Sequence, residues 1–164
     1  MLRRLFVAAT ALTLLATVGA AWAYDEGLAE SYAKLFEPVA GAKAGKALHL
    51  MGPRVFVDKL KTGASIVTLD IRTPAEMSVF TSALPDNLTI PISKLFTPEN
   101  LARIPTDKDV VVLCQSGTRA TAAGTALRHV GFDRVFILKG GYKGLSAYLG
   151  AKTANTPPET GTAN

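Results

Sequence analysis

Short apolar runs alternate with helical patterns along the middle of the chain. Four runs have the length of strands, at residues 65–70, 88–92, 110–113 and 135–138. Their apolar residues are nearly continuous rather than alternating with polar ones, which is typical of strands buried on both faces. Because helical segments separate the runs, the pattern predicts an α/β fold with a central parallel β-sheet flanked by helices on both faces.

Several helices carry recognisable start signals. Thr73 is followed by Pro74 and then by Glu76, which is the residue pattern of a capping box. Thr97 before Pro98 predicts a second capped helix of the same kind. Further helices are predicted over residues 54–61, 120–130 and 142–149.

The first 23 residues have the pattern of an export signal. Arg3 and Arg4 precede an uncharged apolar run at residues 5–19, and residues 21–23 fit the small-x-small cleavage rule. We expect cleavage after Ala23 and a periplasmic or secreted protein. An uncleaved membrane anchor is the alternative, although the run is barely long enough to span a bilayer.

The remainder of the chain divides into three parts by composition. Residues 24–51 are alanine-rich and helix-prone, and we interpret them as an N-terminal extension. Residues 52–150 carry the strand and helix pattern and have the length of one domain with its own core. Residues 151–164 have no apolar period and are predicted to be disordered.

Charge and composition narrow the chemistry. The formal net charge is +5, and it falls to +3 when the two arginines of the signal segment are removed. This small excess suits a small anionic substrate, and no basic run interleaved with aromatic residues indicates nucleic-acid binding. One cysteine and two scattered histidines lack the spacing of a metal site, so neither a metal nor another cofactor is expected.

Cys114 is the only cysteine of the chain, and it lies between a predicted strand and a predicted helix. Backbone N–H groups and the dipole at a helix start favour a thiolate. An exported protein normally pairs its cysteines, so a single thiol is either buried and inert or present to react. The surrounding loop favours a reactive thiol. Since Asp70, Cys114 and Lys139 each follow a predicted strand, we expect them at one edge of the sheet.

Four segments, at residues 69–76, 90–92, 111–120 and 138–141, resemble a single-domain rhodanese in order and spacing. The resemblance implies a rhodanese-like fold and sulfurtransferase chemistry. In that family a cysteine takes a sulfane sulfur from a donor such as thiosulfate, holds it as a persulfide, and passes it to a thiol or cyanide. Carried over, Cys114 is the nucleophile and persulfide carrier. The resemblance implies a cradle for the sulfur formed by the loop residues Gln115, Ser116, Gly117, Thr118 and Arg119.

The side chains around this loop have structural as well as functional interpretations. Arg119 either orients an anionic donor or braces the loop by pairing with Asp70 or another carboxylate. Asp70 is expected to anchor the loop, and Arg72 to be structural. The capping box explains Glu76 better than acid–base chemistry does. Lys139 lies near the predicted mouth of the site, where a solvated lysine is the default interpretation.

Two features separate this chain from other thiol enzymes, and a third departs from the rhodanese pattern. Related phosphatases and arsenate reductases carry a loop that resembles Cys-x5-Arg. Here only four residues separate Cys114 and Arg119, and this shorter loop favours a sulfur substrate over a phosphate. His49 and His129 are poor catalytic candidates, so a papain-like site is not favoured. Residues 82–87 depart from the Gly-His-Ile-Pro-Gly-Ala-like stretch of rhodaneses, which leaves the access of substrate open.

Two hypotheses of different class follow. The first is an exported sulfurtransferase that uses a small anionic sulfur donor and a thiol or cyanide acceptor, with a protein acceptor also open. The second is a non-catalytic rhodanese-like module of the periplasm that carries sulfur or binds a partner protein. A redox-linked thiol, held as a mixed disulfide or sulfenate, is a third interpretation of Cys114.

Overall fold

The computed structural model of the chain describes residues 23–84 and 86–158. The predicted export signal and residues 159–164 of the predicted disordered tail therefore lie outside the described residues, apart from Ala23 itself. Within the two described ranges, no helix has the length and hydropathy that crossing a bilayer requires.

The described residues form a five-stranded sheet in the order β1-β5-β4-β2-β3, and all its strand pairs are parallel. The strands are β1 Leu50–Met51, β2 Ile66–Asp70, β3 Asn87–Thr89, β4 Asp109–Leu113 and β5 Val135–Leu138. Strand β5 has the predicted bounds, and β2 and β4 differ from them by one residue. Strand β3 ends before Ile90 and Pro91, where a strand was predicted, and β1 was not predicted.

Eight α-helices of the described chain surround this sheet. They are α1 Glu26–Phe36, α2 Ala44–Ala47, α3 Pro53–Lys61, α4 Pro74–Val79, α5 Pro98–Leu101, α6 Thr118–His129, α7 Gly141–Tyr148 and α8 Ala151–Asn155. The capping box of α4 is confirmed, because the Thr73 hydroxyl accepts from the Glu76 N–H at 3.2 Å and Glu76 Oε2 accepts from the Thr73 N–H at 2.8 Å. Thr97 caps α5 in a similar way, accepting from the Asn100 N–H.

Strand β4 shows why the sheet is buried on both faces. Its side chains alternate between two apolar clusters, with Val110 and Val112 in one and Val111 and Leu113 in the other. Residues of α6 pack in the first cluster, and residues of α3 and α7 pack in the second. The predicted α/β architecture is therefore confirmed, since both sides of each central strand must be apolar to pack in this way.

Two contacts attach the N-terminal extension to α6. The ring of Tyr32 in α1 stacks on His129 with a centroid distance of 3.9 Å, and the Ser31 hydroxyl lies 3.2 Å from His129 Nε2. No residue of α1 is buried. Helix α1 thus lies against the domain without entering the core, whereas the end of the extension joins the sheet as β1 and buries Met51.

The segment after Gly150 differs from the prediction of disorder. Residues 151–155 form helix α8, and the Thr153 hydroxyl donates to the carbonyl of Tyr148 at 2.9 Å. The Lys61 ammonium group donates to the carbonyl oxygens of Thr153 and Thr156. A cation at the last carbonyls of a helix stabilises its end, and the apolar periodicity of the chain carries no sign of such a contact.

Candidate active site

Cys114 lies directly after β4, at the carboxyl edge of the sheet. Its side chain is fully buried, and the N–H of Gly117 donates to Cys114 Sγ at 3.2 Å. Gly117 has a φ of 91°, so the loop turns back toward the sulfur through a conformation that favours glycine. The side chains of Gln115, Ser116 and Thr118 are exposed. The sulfur is therefore contacted by the main chain of the loop rather than by these three side chains.

The loop continues directly into helix α6. The first intrahelical bond of α6 runs from the Thr121 N–H to the Gly117 carbonyl at 2.9 Å. The N–H groups of Thr118 and Arg119 precede this bond and so have no partner within the helix. N–H groups at a helix start favour a negative charge. The arrangement suits a thiolate or an anionic persulfide on Cys114.

The Gly140-Gly141 turn fastens the loop from the other side. The Tyr142 N–H donates to the carbonyl of Cys114 at 2.8 Å, and the Lys143 N–H donates to the carbonyl of Gln115 at 2.9 Å. Gly141 has a φ of 54°, and a Cβ there would collide with the Cys114 carbonyl and lie 2.8 Å from the Gly117 nitrogen. Glycine at position 141 is thus required for the close approach of the two segments. The glycine pair after a strand end was the available sequence signal for this contact.

Arg119 forms a bidentate ion pair with Glu76. Arg119 Nη1 lies 2.8 Å from Glu76 Oε2, and Nη2 lies 2.6 Å from Oε1. This pair lowers the pKa of Glu76 to about 2, with the Thr73 N–H contributing further. The pKa of Arg119 is raised mainly by Glu76, and the nearby Cys114 raises it further. The structure supports the bracing interpretation of Arg119, with Glu76 rather than Asp70 as its partner.

Asp70 and Arg72 form a separate ion pair, and both side chains are fully buried. Arg72 Nε and Nη2 donate to the Asp70 carboxylate at 2.8 to 3.1 Å, and Nη2 also donates to the Phe80 carbonyl at 2.9 Å. The guanidinium lies between the rings of Phe80 and Tyr142, at 4.3 and 4.0 Å from their centroids. The geometry supports a structural role for Arg72. Asp70 also accepts the backbone N–H of Arg72, so these bonds lie in the turn after β2, whereas the prediction was that Asp70 anchors the loop of Cys114.

Strand ends bring the predicted residues to one edge of the sheet. Asp70 is paired in register with Leu113, the residue before Cys114. Lys139 follows the adjacent strand β5 and is exposed. It lines a groove of about 560 Å³ together with Ser116, Gly117 and Thr118. The groove borders the outer side of the loop, and Cys114 is not among its lining residues.

The two histidines make their contacts away from this loop. His49 Nδ1 lies 3.0 Å from the Val135 carbonyl, and burial lowers the pKa of its ring. His129 contacts α1 through Ser31 and Tyr32. Across residues 23–84 and 86–158, no group of three or more His, Cys, Asp or Glu side chains could hold a metal ion.

Comparisons with known proteins identify a matching family and a related protein. The family described as "Rhodanese-like domain" matches residues 52–148. A protein of Allochromatium vinosum named a sulfurtransferase is 37% identical over 83 residues, which cover 51% of this chain and 74% of that protein.

Solved structures have the same fold. The rhodanese-like domain of a protein from Anabaena sp. has a TM-score of 0.54 and 21% identity, covering 71% of this chain and 89% of that chain. A protein of unknown function from Rhodopseudomonas palustris, described as a possible tyrosine phosphatase, has a TM-score of 0.54 and 23% identity, covering 73% and 95%. At these identities the likeness concerns the fold alone.

Proposed function

This chain belongs to the family of rhodanese-like domains, and on that premise we propose that it is a sulfurtransferase that carries sulfur on Cys114. The relative named a sulfurtransferase supports sulfur transfer at the level of the family. The observation that carries the proposal is the position of the Cys114 sulfur after a strand end, 3.2 Å from the N–H of Gly117. A loop of inward N–H groups stabilises the anionic sulfur of each stage.

In the first step the Cys114 thiolate attacks the sulfane sulfur of a donor, for which we propose thiosulfate or a similar anion. A bond forms between Cys114 Sγ and that sulfur, while the bond between the sulfane sulfur and the central sulfur of thiosulfate breaks. Sulfite leaves with the bonding electron pair, and Cys114 holds an anionic persulfide. The N–H groups of Gly117 and of the first turn of α6 suit this charge.

In the second step a thiophilic acceptor attacks the outer sulfur of the persulfide. With cyanide the products are thiocyanate and the Cys114 thiolate, so the enzyme returns to its starting state. A thiol acceptor, whether small or on a protein, takes the sulfur as its own persulfide and transfers its proton to solvent. No cofactor enters either step.

The size of the loop favours this chemistry over phosphate hydrolysis. Four residues separate Cys114 from Arg119, one fewer than in the phosphatase-like pattern. Glu76 also engages both terminal nitrogens of Arg119, which a phosphate would need for bidentate binding. The phosphatase description of one solved neighbour accompanies a likeness of fold only.

A non-catalytic module that carries sulfur or binds a partner protein is the second candidate. Full burial of Cys114 favours its partner-binding form, because a thiol that no donor reaches can neither transfer nor carry sulfur. For either candidate we propose a periplasmic or secreted location, which rests on the sequence pattern of residues 1–23.

Mass spectrometry of the intact protein separates the two candidates. The full chain is reduced, incubated with thiosulfate and weighed, and we expect a gain of one sulfur atom that cyanide or excess thiol removes. The Cys114→Ser variant is expected to gain nothing. An unmodified wild-type protein whose Cys114 is readily alkylated would favour the binding module. Full transfer activity in Cys114→Ser would overturn the catalytic role.

A further inference from the structure

Glu76 forms an ion pair with Arg119, the cationic side chain closest in sequence to the Cys114 sulfur. Both terminal nitrogens of Arg119 bond to the Glu76 carboxylate, at 2.8 and 2.6 Å. Arg119 lies in the first turn of α6, which the loop of Cys114 enters directly, and the nearby thiol contributes to the raised pKa of its guanidinium. Each side chain of the pair is about one-third exposed, at 34% and 31%. An anion that approaches the sulfur past this pair therefore meets a negative charge together with the positive one.

The negative charge is fixed in place. Glu76 Oε2 also accepts the N–H of Thr73 at 2.8 Å, and the Glu76 N–H donates to the Thr73 hydroxyl at 3.2 Å. A carboxylate held by both a capping box and a bidentate arginine loses both sets of bonds when it swings away. Its pKa of about 2 keeps it ionised at neutral pH.

Building on the proposed function, we infer that Glu76 is a specificity-determining residue that disfavours dianionic sulfur donors relative to donors of lower charge. By offsetting the charge of Arg119, Glu76 removes most of the attraction that a dianion would otherwise gain. The repulsion between Glu76 and a donor grows in proportion to the donor charge. A dianion such as thiosulfate is therefore penalised about twice as much, in free energy, as a monoanion.

The variant Glu76→Gln tests this effect while keeping the helix start. Glutamine also serves at this position of a capping box, and its amide oxygen can still accept from the Thr73 N–H. Two donors are compared, thiosulfate as the dianion and methanethiosulfonate as the monoanion. Both give the same Cys114 persulfide, releasing sulfite and methanesulfinate respectively.

We expect Glu76→Gln to lower the KM for each donor by an amount that follows donor charge. For a donor taken to lie about 6 Å from the Glu76 carboxylate in a water-like dielectric, the loss of the Glu76 charge changes the binding of a monoanion about threefold and that of a dianion about tenfold. The KM for thiosulfate should therefore fall about tenfold and that for methanethiosulfonate about threefold, with kcat nearly unchanged. Glu99→Gln is the matched control, because it removes one acidic charge from the first turn of another helix that follows a Thr-Pro pair. It should change neither KM.

A binding measurement makes the inference independent of catalysis. Calorimetry compares thiosulfate binding by Cys114→Ser with binding by the double variant that also carries Glu76→Gln, and we expect about tenfold tighter binding in the latter. Equal changes for both donors, or unchanged binding, would overturn the role of Glu76 even if persulfide forms. A wild-type protein that never forms persulfide, but whose variants show the binding difference, would reject the proposed transfer and support the role of Glu76.

Discussion

The backbone N–H of Tyr142 donates to the carbonyl oxygen of Cys114 at 2.8 Å, which joins the start of α7 to the loop that holds the sulfur. This bond requires the residue before Tyr142 to lie directly against the loop. Gly141 meets the requirement, because it has no Cβ to collide with the Cys114 carbonyl. The shape of the Cys114 loop thus depends on a glycine that follows it by 27 positions in the chain.

We expect Gly141→Ala to destabilise the fold and to slow persulfide formation. The substitution strains a φ of 54° and places a Cβ 2.8 Å from the Gly117 nitrogen, so the combined loss should be about 3 kcal/mol or more. Gly63→Ala is the matched control, since Gly63 has a φ of 73° but no atom within 4 Å of a built Cβ, and it should lose only about 1 kcal/mol. Urea unfolding measures the loss of stability in both variants, and the mass gain with thiosulfate measures persulfide formation. Equal losses in the two variants would contradict the steric role of Gly141.

Arg72→Lys is expected to lower the free energy of unfolding by about 3 kcal/mol, because lysine cannot reproduce the bidentate pair or the stacking in a buried site. Arg134→Lys is the control, since Arg134 pairs with Asp109 while its side chain is 54% exposed. That change should remain below about 1 kcal/mol. Urea unfolding of both variants provides the comparison, and a similar small effect in each would show that burial of the Asp70–Arg72 pair contributes little. If Arg72→Lys does not fold, Phe80→Ala removes one stacking face at an expected loss of about 1 kcal/mol.

The ion pair of Glu76 predicts a dependence of stability on pH. The pKa of Glu76 is about 2 in the folded protein, below its ordinary value of 4.5. Because folding lowers this pKa, the ionised carboxylate stabilises the fold in full above pH 4.5, and this stabilisation is lost as the pH falls toward 2. The pair is partly exposed, so its contribution should be about 1 kcal/mol or less.

Urea unfolding of the wild type and of Glu76→Gln over a pH series measures this contribution. The difference between the two proteins should be constant from neutral pH to about pH 5 and then shrink as the solution becomes more acidic. A difference that stays constant down to about pH 2 would show that the charge of Glu76 does not stabilise the fold.

Sequence patterns predicted the parts of the fold that local signals encode. The short apolar runs predicted strands β2, β4 and β5 within one residue, and the capping-box residues Thr73 and Glu76 predicted the start of α4. Strand β1 has only two residues, too few to show any period, so it escaped detection. The position of Cys114 after a strand end followed from the same local reasoning.

Contacts between residues far apart in the sequence could not be predicted from local patterns. The capping box explained Glu76 fully at the local level, and no local signal indicates that Arg119, 43 residues later, also binds it. The bond between Tyr142 and Cys114 likewise depends on how β4 and β5 pair. Arg72 was predicted to be structural, and its place between two aromatic rings depends on packing that a strand and helix pattern does not encode.

Main-chain bonds and close glycine contacts hold the loop of Cys114, whereas the side chains of Gln115, Ser116 and Thr118 point to solvent. These three positions can therefore change during evolution without altering the path of the backbone around the sulfur. If the proposed sulfur transfer holds, new partners for the sulfur can be selected on the exposed surface of the loop while the main chain around Cys114 stays unchanged. Substrate choice and the conformation of the loop are then set by different atoms.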